Sequence, residues 1–127
     1  FYQEAMRTIK PGSRLVVFDV FYNRPPEDTE EKAMLRNSLL GWLVPNWHPI
    51  PHKDLFAEHS YTDITKNTMA DIDRSFQTAS NKIDSVEDPV MKGHLNAIIA
   101  LHKCLQLNLV QYGLLVISKP NFLRLED

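Results

Sequence analysis

The chain has 127 residues, 43% of them hydrophobic and 24% charged, with a formal net charge of −2. Such a length builds one domain around one modest core, and the near-neutral charge excludes a global basic field that would recruit nucleic acid. A lone cysteine, Cys104, excludes an intramolecular disulfide framework and fits a reducing, cytoplasmic compartment; no apolar run reaches the roughly 18 residues of a membrane span, and no signal-peptide pattern is present.

The first element reads as a helix, with Tyr2, Ala5, Met6 and Ile9 on one face. Pro11-Gly12 ends it, because proline disfavours helix at Lys10 and glycine supplies positive φ for a sharp turn. Ser13 to Phe21 follows, with the continuous apolar run Leu15-Val16-Val17-Phe18. A run without alternation suits a strand buried on both faces. Asp19 and Tyr22 fall at its carboxyl edge, where ligands gather in open α/β sheets. The sequence starts without methionine and inside an apparent helix, so it reads as part of something longer.

Pro25-Pro26 punctuates a loop before the next helix, which runs to about Trp42 with Leu35, Leu39 and Trp42 on one face. Asp28 or Thr29 can cap it; Asp28 and Glu31 have capping-box spacing, and Glu30 and Glu31 suit the positive end of the helix dipole. Gly41 marks the fraying end. Leu43 to Pro51 carries three prolines, which forbid helix and central strand. Yet Leu43, Val44, Trp47 and Ile50 are too apolar for a freely solvated loop. The segment either covers the core or forms a lid over a small-molecule pocket.

His52 to His59 reads as a short helix with Leu55 and Phe56 inward, and Tyr61 to Lys66 as a strand. Met69, Ile72, Phe76, Ala79 and Ile83 predict a helix over about 69–81. After a polar break at Asp84 to Pro89, with Asp88 or Ser85 as cap, a second helix runs to about Leu107. Its apolar stripe is Met91, Leu95, Ile98, Ile99, His102, Leu105 and Leu109. Val110 to Lys119 is the last strand, and Asn121 to Asp127 a tail.

Residues Glu4, Arg7, Ile9, Lys10, Pro11, Gly12, Arg14 to Val17 and Asp19 form the pattern E-A-x-R-x-[IL]-K-P-G-x-R-L-V-V-x-D. It resembles the segment leading into strand five of the Rossmann-like S-adenosylmethionine-dependent methyltransferases. Gly41, Trp42, Pro45 and Trp47 are similar to the lid insert of small-molecule methyltransferases of the tocopherol, sterol and natural-product group. Ser60 to Ile64 resembles the start of strand six in that family, with serine for the usual glycine, and Tyr112 to Pro120 resembles strand seven and its terminal Lys-Pro.

The resemblance implies an α/β fold: the second half of a Rossmann-like methyltransferase sheet, strands 5-7-6 with strand 7 antiparallel between the others, flanked by helices and carrying a helical lid insert. Residues 1–127 would form one domain, with 22–60 as the lid and acceptor-binding insert. Methyl transfer in that family is an in-line displacement at the sulfonium carbon, in which the enzyme aligns the reactants and excludes water. The cofactor, S-adenosylmethionine, is held there by a glycine-rich turn after strand one and an acidic residue ending strand two. Only Gly12, Gly41, Gly93 and Gly113 occur here, and no two are close. The cofactor half is therefore expected to be missing, this chain contributes no cofactor-binding residue, and it is not expected to be active alone. Its expected partners are an N-terminal methyltransferase half or a second copy, which would cover the exposed flank of strand five, and a small-molecule acceptor.

Among chemistry-bearing residues, His48 beside Trp47 is the candidate catalytic group, since histidine titrates near neutrality and can orient or deprotonate an acceptor. The other reading is a lid residue with no chemical duty. Asp19 either caps the loop or faces the acceptor. Tyr22, Trp42 and Trp47 either wall an apolar acceptor site, give a cationic one a π-face, or are ordinary core. No metal site is expected: Pro49 and Pro51 keep His48 and His52 off one helix, and no HExxH occurs. His102 reads as a hydrogen-bonded core histidine and Cys104 as inert packing. Two further functions stay open: a non-catalytic association or regulatory module derived from the same fold, and an unrelated α/β domain.

Overall fold

The computed structural model describes residues 1–50 and 58–121. In chain order these form helix α1 (Tyr2–Thr8), strand β1 (Arg14–Tyr22), helix α2 (Thr29–Gly41), strand β2 (His59–Asp63), helix α3 (Thr65–Lys82), a 3-10 turn (Ile83–Ser85), helix α4 (Pro89–Gln106) and strand β3 (Val110–Ser118).

The sheet order is β1-β3-β2, with β3 antiparallel to both neighbours. Arg14 pairs with Ser118 and Tyr22 with Val110, so β1 and β3 match along their whole length. His59 pairs with Ile117 and Asp63 with Gly113. This is the expected 5-7-6 arrangement. One face carries Val17, Phe21, Leu115 and Ile117 and is covered by Tyr2 and Met6 of α1. The other carries Val20, Leu109 and Val110 and is covered by Leu101, Cys104 and Leu105 of α4, with Met34, Leu35 and Leu39 of α2 beside them. Alternation along β1 produces both faces.

Turn chemistry sets the element boundaries. Gly12 has φ +78°, the positive value expected of it, and its N–H donates to the Lys119 carbonyl at 3.0 Å. The Lys119 ammonium donates to the Ile9 carbonyl at 2.8 Å, placing a cation on the exposed carbonyls ending α1. Asp28 caps α2 by accepting from the Glu31 N–H at 2.8 Å. The reciprocal bond shifts by one residue: the Glu31 carboxylate accepts from the N–H of Glu27, not of Asp28. Helices α2 and α4 end alike. Leu43 (φ 56°) and Asn108 (φ 57°) take the left-handed position. The following amides, of Val44 and Leu109, donate back to Leu39 and Cys104. That is the Schellman arrangement, with Leu43 filling a position that suits glycine.

Some boundaries differ from expectation. The second strand ends at Asp63 rather than Lys66, because the Asp63 carboxylate accepts from both the N–H and the hydroxyl of Thr65 and turns the chain into helix there. Helix α3 thus starts four residues before Met69. Gly41 does not fray: it closes α2 against α4, where a Cβ would collide with Ala97. The short helix expected over 52–59 lies mostly outside the described residues, and its last residue, His59, opens β2. The tail after Asn121 also lies outside them. No described helix is long and apolar enough to cross a membrane.

The loop after β1 is pinned by Arg24. Its guanidinium donates to both Glu31 carboxylate oxygens, at 2.8 and 2.9 Å, and to the Leu107 carbonyl at 2.8 Å. The Arg24 hydrogen bonds, then the Glu27 N–H, pull the Glu31 carboxyl from its ordinary 4.5 to about 2. A depressed folded-state value contributes stability that is present above pH 4.5 and lost as pH falls through about 2. Acid unfolding of the wild type should therefore show a component in that window that Glu31→Gln lacks; identical midpoint-versus-pH curves would refute the assignment. A second expectation concerns Gly113. A Cβ there would lie 2.5 Å from the Tyr61 hydroxyl and 2.7 Å from Phe21 Cδ2. Gly113→Ala should cost about 1–3 kcal/mol in urea unfolding, as overpacking does.

Candidate functional site at the carboxyl end of the first strand

Asp19 and Phe21 project from β1 on the α1 face, near its carboxyl end. The proline-rich segment returns alongside: His48 makes a single parallel bridge to Phe21, with Tyr22 N–H donating to the His48 carbonyl (2.8 Å) and His48 N–H to the Val20 carbonyl (3.2 Å). Prolines 45 and 49 restrict pairing to this one residue. The bridge fixes the backbone of His48 and thereby its ring.

That ring is held from three sides. Nε2 lies 3.0 Å from Asp19 Oδ2, Nδ1 lies 3.2 Å from the Tyr2 hydroxyl, and the Phe21 ring packs at 5.1 Å between centroids. The Asp19 carboxylate also accepts from the Val20 N–H at 2.8 Å. An ionised carboxylate only accepts, so with a neutral imidazole Nε2 carries the proton and Nδ1 accepts from the Tyr2 O–H. The result is a directed chain: Tyr2 O–H to His48 Nδ1, His48 Nε2–H to Asp19. Burial, then the negative charge of Asp19, raises the Tyr2 phenol above its ordinary 10.0, so Tyr2 is a neutral donor at any physiological pH. The arrangement can take a proton from a group beside Tyr2 and stabilise the imidazolium with Asp19.

The structure thus brings together two of the residues singled out from sequence, His48 and Asp19, and adds Tyr2. The others lie elsewhere. The Tyr22 hydroxyl donates to Asn46 at 3.0 Å, on the opposite face of β1. Trp47 is buried in the core, its indole N–H donating to the Ser38 hydroxyl at 3.3 Å. Trp42 is 45% exposed and lines a cavity of about 370 Å³ between the sheet, α3 and α4, with Phe18, Ile72, Leu101 and Tyr112. Tyr2 was legible only as an apolar helix position. Its ring period gives burial, and nothing in the spacing gives the partner of its hydroxyl.

Two other polar groups bear on the site's limits. His102 is buried, bonded through Nε2 to Asp73 (2.9 Å) and stacked on Phe76 (4.0 Å), while its Nδ1 has no partner among the described residues. Burial raises the Cys104 thiol, which keeps it protonated and unreactive. Among the described residues no three His, Cys, Asp or Glu side chains converge on a possible metal.

The fold has known counterparts. The chain superposes on phosphoethanolamine N-methyltransferase 2 from Haemonchus contortus, solved with phosphomonomethylethanolamine and S-adenosylhomocysteine, with a TM-score of 0.61 at 10% identity. The match covers 94% of this chain and 29% of that one, on the C-terminal part of a methyltransferase fold. No protein-family profile and no curated protein sequence matches. The likeness at this identity establishes the class of fold.

The described glycines do not supply a turn of the kind that holds S-adenosylmethionine, whose demethylated form the neighbour binds. The one described glycine with positive φ, Gly12, lies at the amino end of β1, away from Asp19, and the Asn121 side chain fills the space where its Cβ would be.

The relay predicts a definite proton pattern. Ring ¹⁵N–¹H spectra of His48 should show the Nε2–H tautomer, and Asp19→Ala should abolish that preference; an Nδ1–H pattern in the wild type would refute the relay. Because the folded-state value of Tyr2 is raised, its contribution to stability is intact below pH 10.0 and lost as pH rises through the raised value. The difference between the ultraviolet titrations of wild type and Tyr2→Phe should be a single phenol ionising above pH 10.0, and the same difference taken in an Asp19→Ala background should move to lower pH.

Proposed function

We propose that this chain is the acceptor-side half of an S-adenosylmethionine-dependent small-molecule methyltransferase and that it works with a separate or preceding cofactor-binding half. The observation that carries the reading is the outer edge of β1. The bonds to His48 show that the N–H and C=O groups of even-numbered β1 residues point away from β3. Strand alternation puts those of Arg14, Val16 and Phe18 on the same edge. Val16 and Phe18 are 59% and 56% exposed. An apolar edge of this kind calls for another strand. The bridge at His48 already runs parallel, the sense in which a further strand of an open α/β sheet would continue. The fold match, which leaves 71% of the neighbour's chain without a counterpart (100 − 29), supports the same reading.

In this reading the relay serves the acceptor. A hydroxyl or amine beside Tyr2 would release its proton to the phenol oxygen as Tyr2 passes its own to His48 Nδ1, and Asp19 would offset the imidazolium charge. The insert after β1 would act as the lid, as in the tocopherol, sterol and natural-product group, with the buried Trp47 anchoring it to the core beside His48. The neighbour's phosphorylated amine makes amines the first acceptors to assay. A buried lone thiol suits the cytoplasmic placement we propose.

The test is calorimetry with S-adenosylhomocysteine on the chain alone and on its complex with a co-purifying methyltransferase half. Binding by the complex only, with Val16→Lys weakening assembly at least tenfold, is the expected result. Tight binding by the isolated chain would overturn the division of labour. A stable homodimer through β1 with no cofactor binding would favour the association-module alternative.

A further inference from the structure

The cavity on the α3–α4 side of the sheet is separate from the His48 relay, which lies on the other face of β1. Its volume, about 370 Å³, falls within the range of small-molecule sites. Three of its walls are aromatic: Phe18 of β1, Tyr112 of β3 and Trp42 at the end of α2. Phe18 and Tyr112 stack on each other at 5.5 Å, which fixes both rings as one surface. Trp42 and Phe18 remain about half exposed.

The polar lining combines one carboxylate, two hydroxyls and the buried imidazole of His102, whose Nε2 is taken up by Asp73 at 2.9 Å. Asp71 of α3 contributes a carboxylate, Thr68 and Ser75 contribute hydroxyls, and no described lysine or arginine lines the space. Asp71 is paired with Arg74, but both side chains are 77% exposed, and such surface pairs are weak. Burial raises the Tyr112 phenol, so the ring enters as a neutral π-face. Aromatic faces and one carboxylate repel anions, and they attract a cation whose charge is spread over apolar substituents.

We propose that this cavity is a binding site for a small organic ammonium ion, a tertiary or quaternary amine seated against Trp42 and the Phe18–Tyr112 pair with Asp71 as counter-charge. The inference stands on the cavity alone and does not depend on methyl transfer.

The experiment uses choline and its neutral carbon isostere, 3,3-dimethylbutan-1-ol, as probes. The readout is the indole N–H signals of ¹⁵N-labelled chain. Choline should move the Trp42 signal and leave that of Trp47 in place. The isostere should bind about 5- to 30-fold more weakly, the ratio expected for a cation–π contribution of about 1–2 kcal/mol. Asp71→Asn, a change at an exposed helix position, should weaken choline without altering the fold, and Trp42→Leu should abolish binding. Equal affinity for choline and the alcohol would overturn the cation reading and leave an apolar pocket. No shift at Trp42, or choline binding indifferent to both substitutions, would overturn the site itself.

Discussion

The missing side chain at Gly113 is the constraint on which both halves of the sheet depend. Gly113 stands in the central strand opposite Asp19 on one side and Asp63 on the other. Over that bare stretch of backbone Phe21 of β1 and Tyr61 of β2 meet edge to face, 5.0 Å apart, although their strands never pair. Phe21 is fully buried by this contact and in turn supports the His48 ring. Any residue with a Cβ at 113 would push the aromatic pair apart. Its effect would reach the Tyr2–His48–Asp19 chain through one ring. Glycine weakens a strand in general; here it lets side chains pack across one.

The remaining order comes from local chemistry at the ends of elements. Arg24 ties the loop after β1 to the start of α2 and the end of α4 in one contact set. The left-handed turn at Leu43 then aims the chain back toward β1, where His48 docks. A leucine in that conformation costs roughly 1–2 kcal/mol compared with glycine, and Leu43 is also 86% exposed. The surrounding hydrogen bonds, to Leu40 and Leu39, hold it there.

Legibility in the sequence followed the kind of signal. Helices α3 and α4, the two long strands and the caps at Asp28 and Asp88 declare themselves through period and local hydrogen bonding. The sheet order needed the resemblance to a known fold, because nothing local says that β3 inserts between β1 and β2. The stripe assigned to α4 was too narrow: Leu101 and Cys104 are buried as well, since this helix touches the sheet, α2 and α3. The site was legible by residue and not by geometry. Asp19 and His48 are 29 positions apart, joined through a non-periodic segment whose path depends on a single bridge. Trp42 and Trp47 look interchangeable in a proline-rich run, yet one lines a cavity and the other fills the core.

The middle strand of the sheet is also the last of the described strands in chain order. β1 and β2 each pair with β3 and not with each other, and the Arg14–Ser118 pair closes a loop of more than a hundred residues. During synthesis on a ribosome the first two strands must therefore wait, with Phe18, Phe21 and Tyr61 unpaired, until residues 110–118 emerge. Long-range pairing of this sort is slow to form and leaves apolar edges open meanwhile. The helices can assemble earlier, α2 on α4 and α3 on α4, giving the late strand a ready surface. A nascent chain of this design would be most dependent on chaperones just before its final strand clears the exit tunnel.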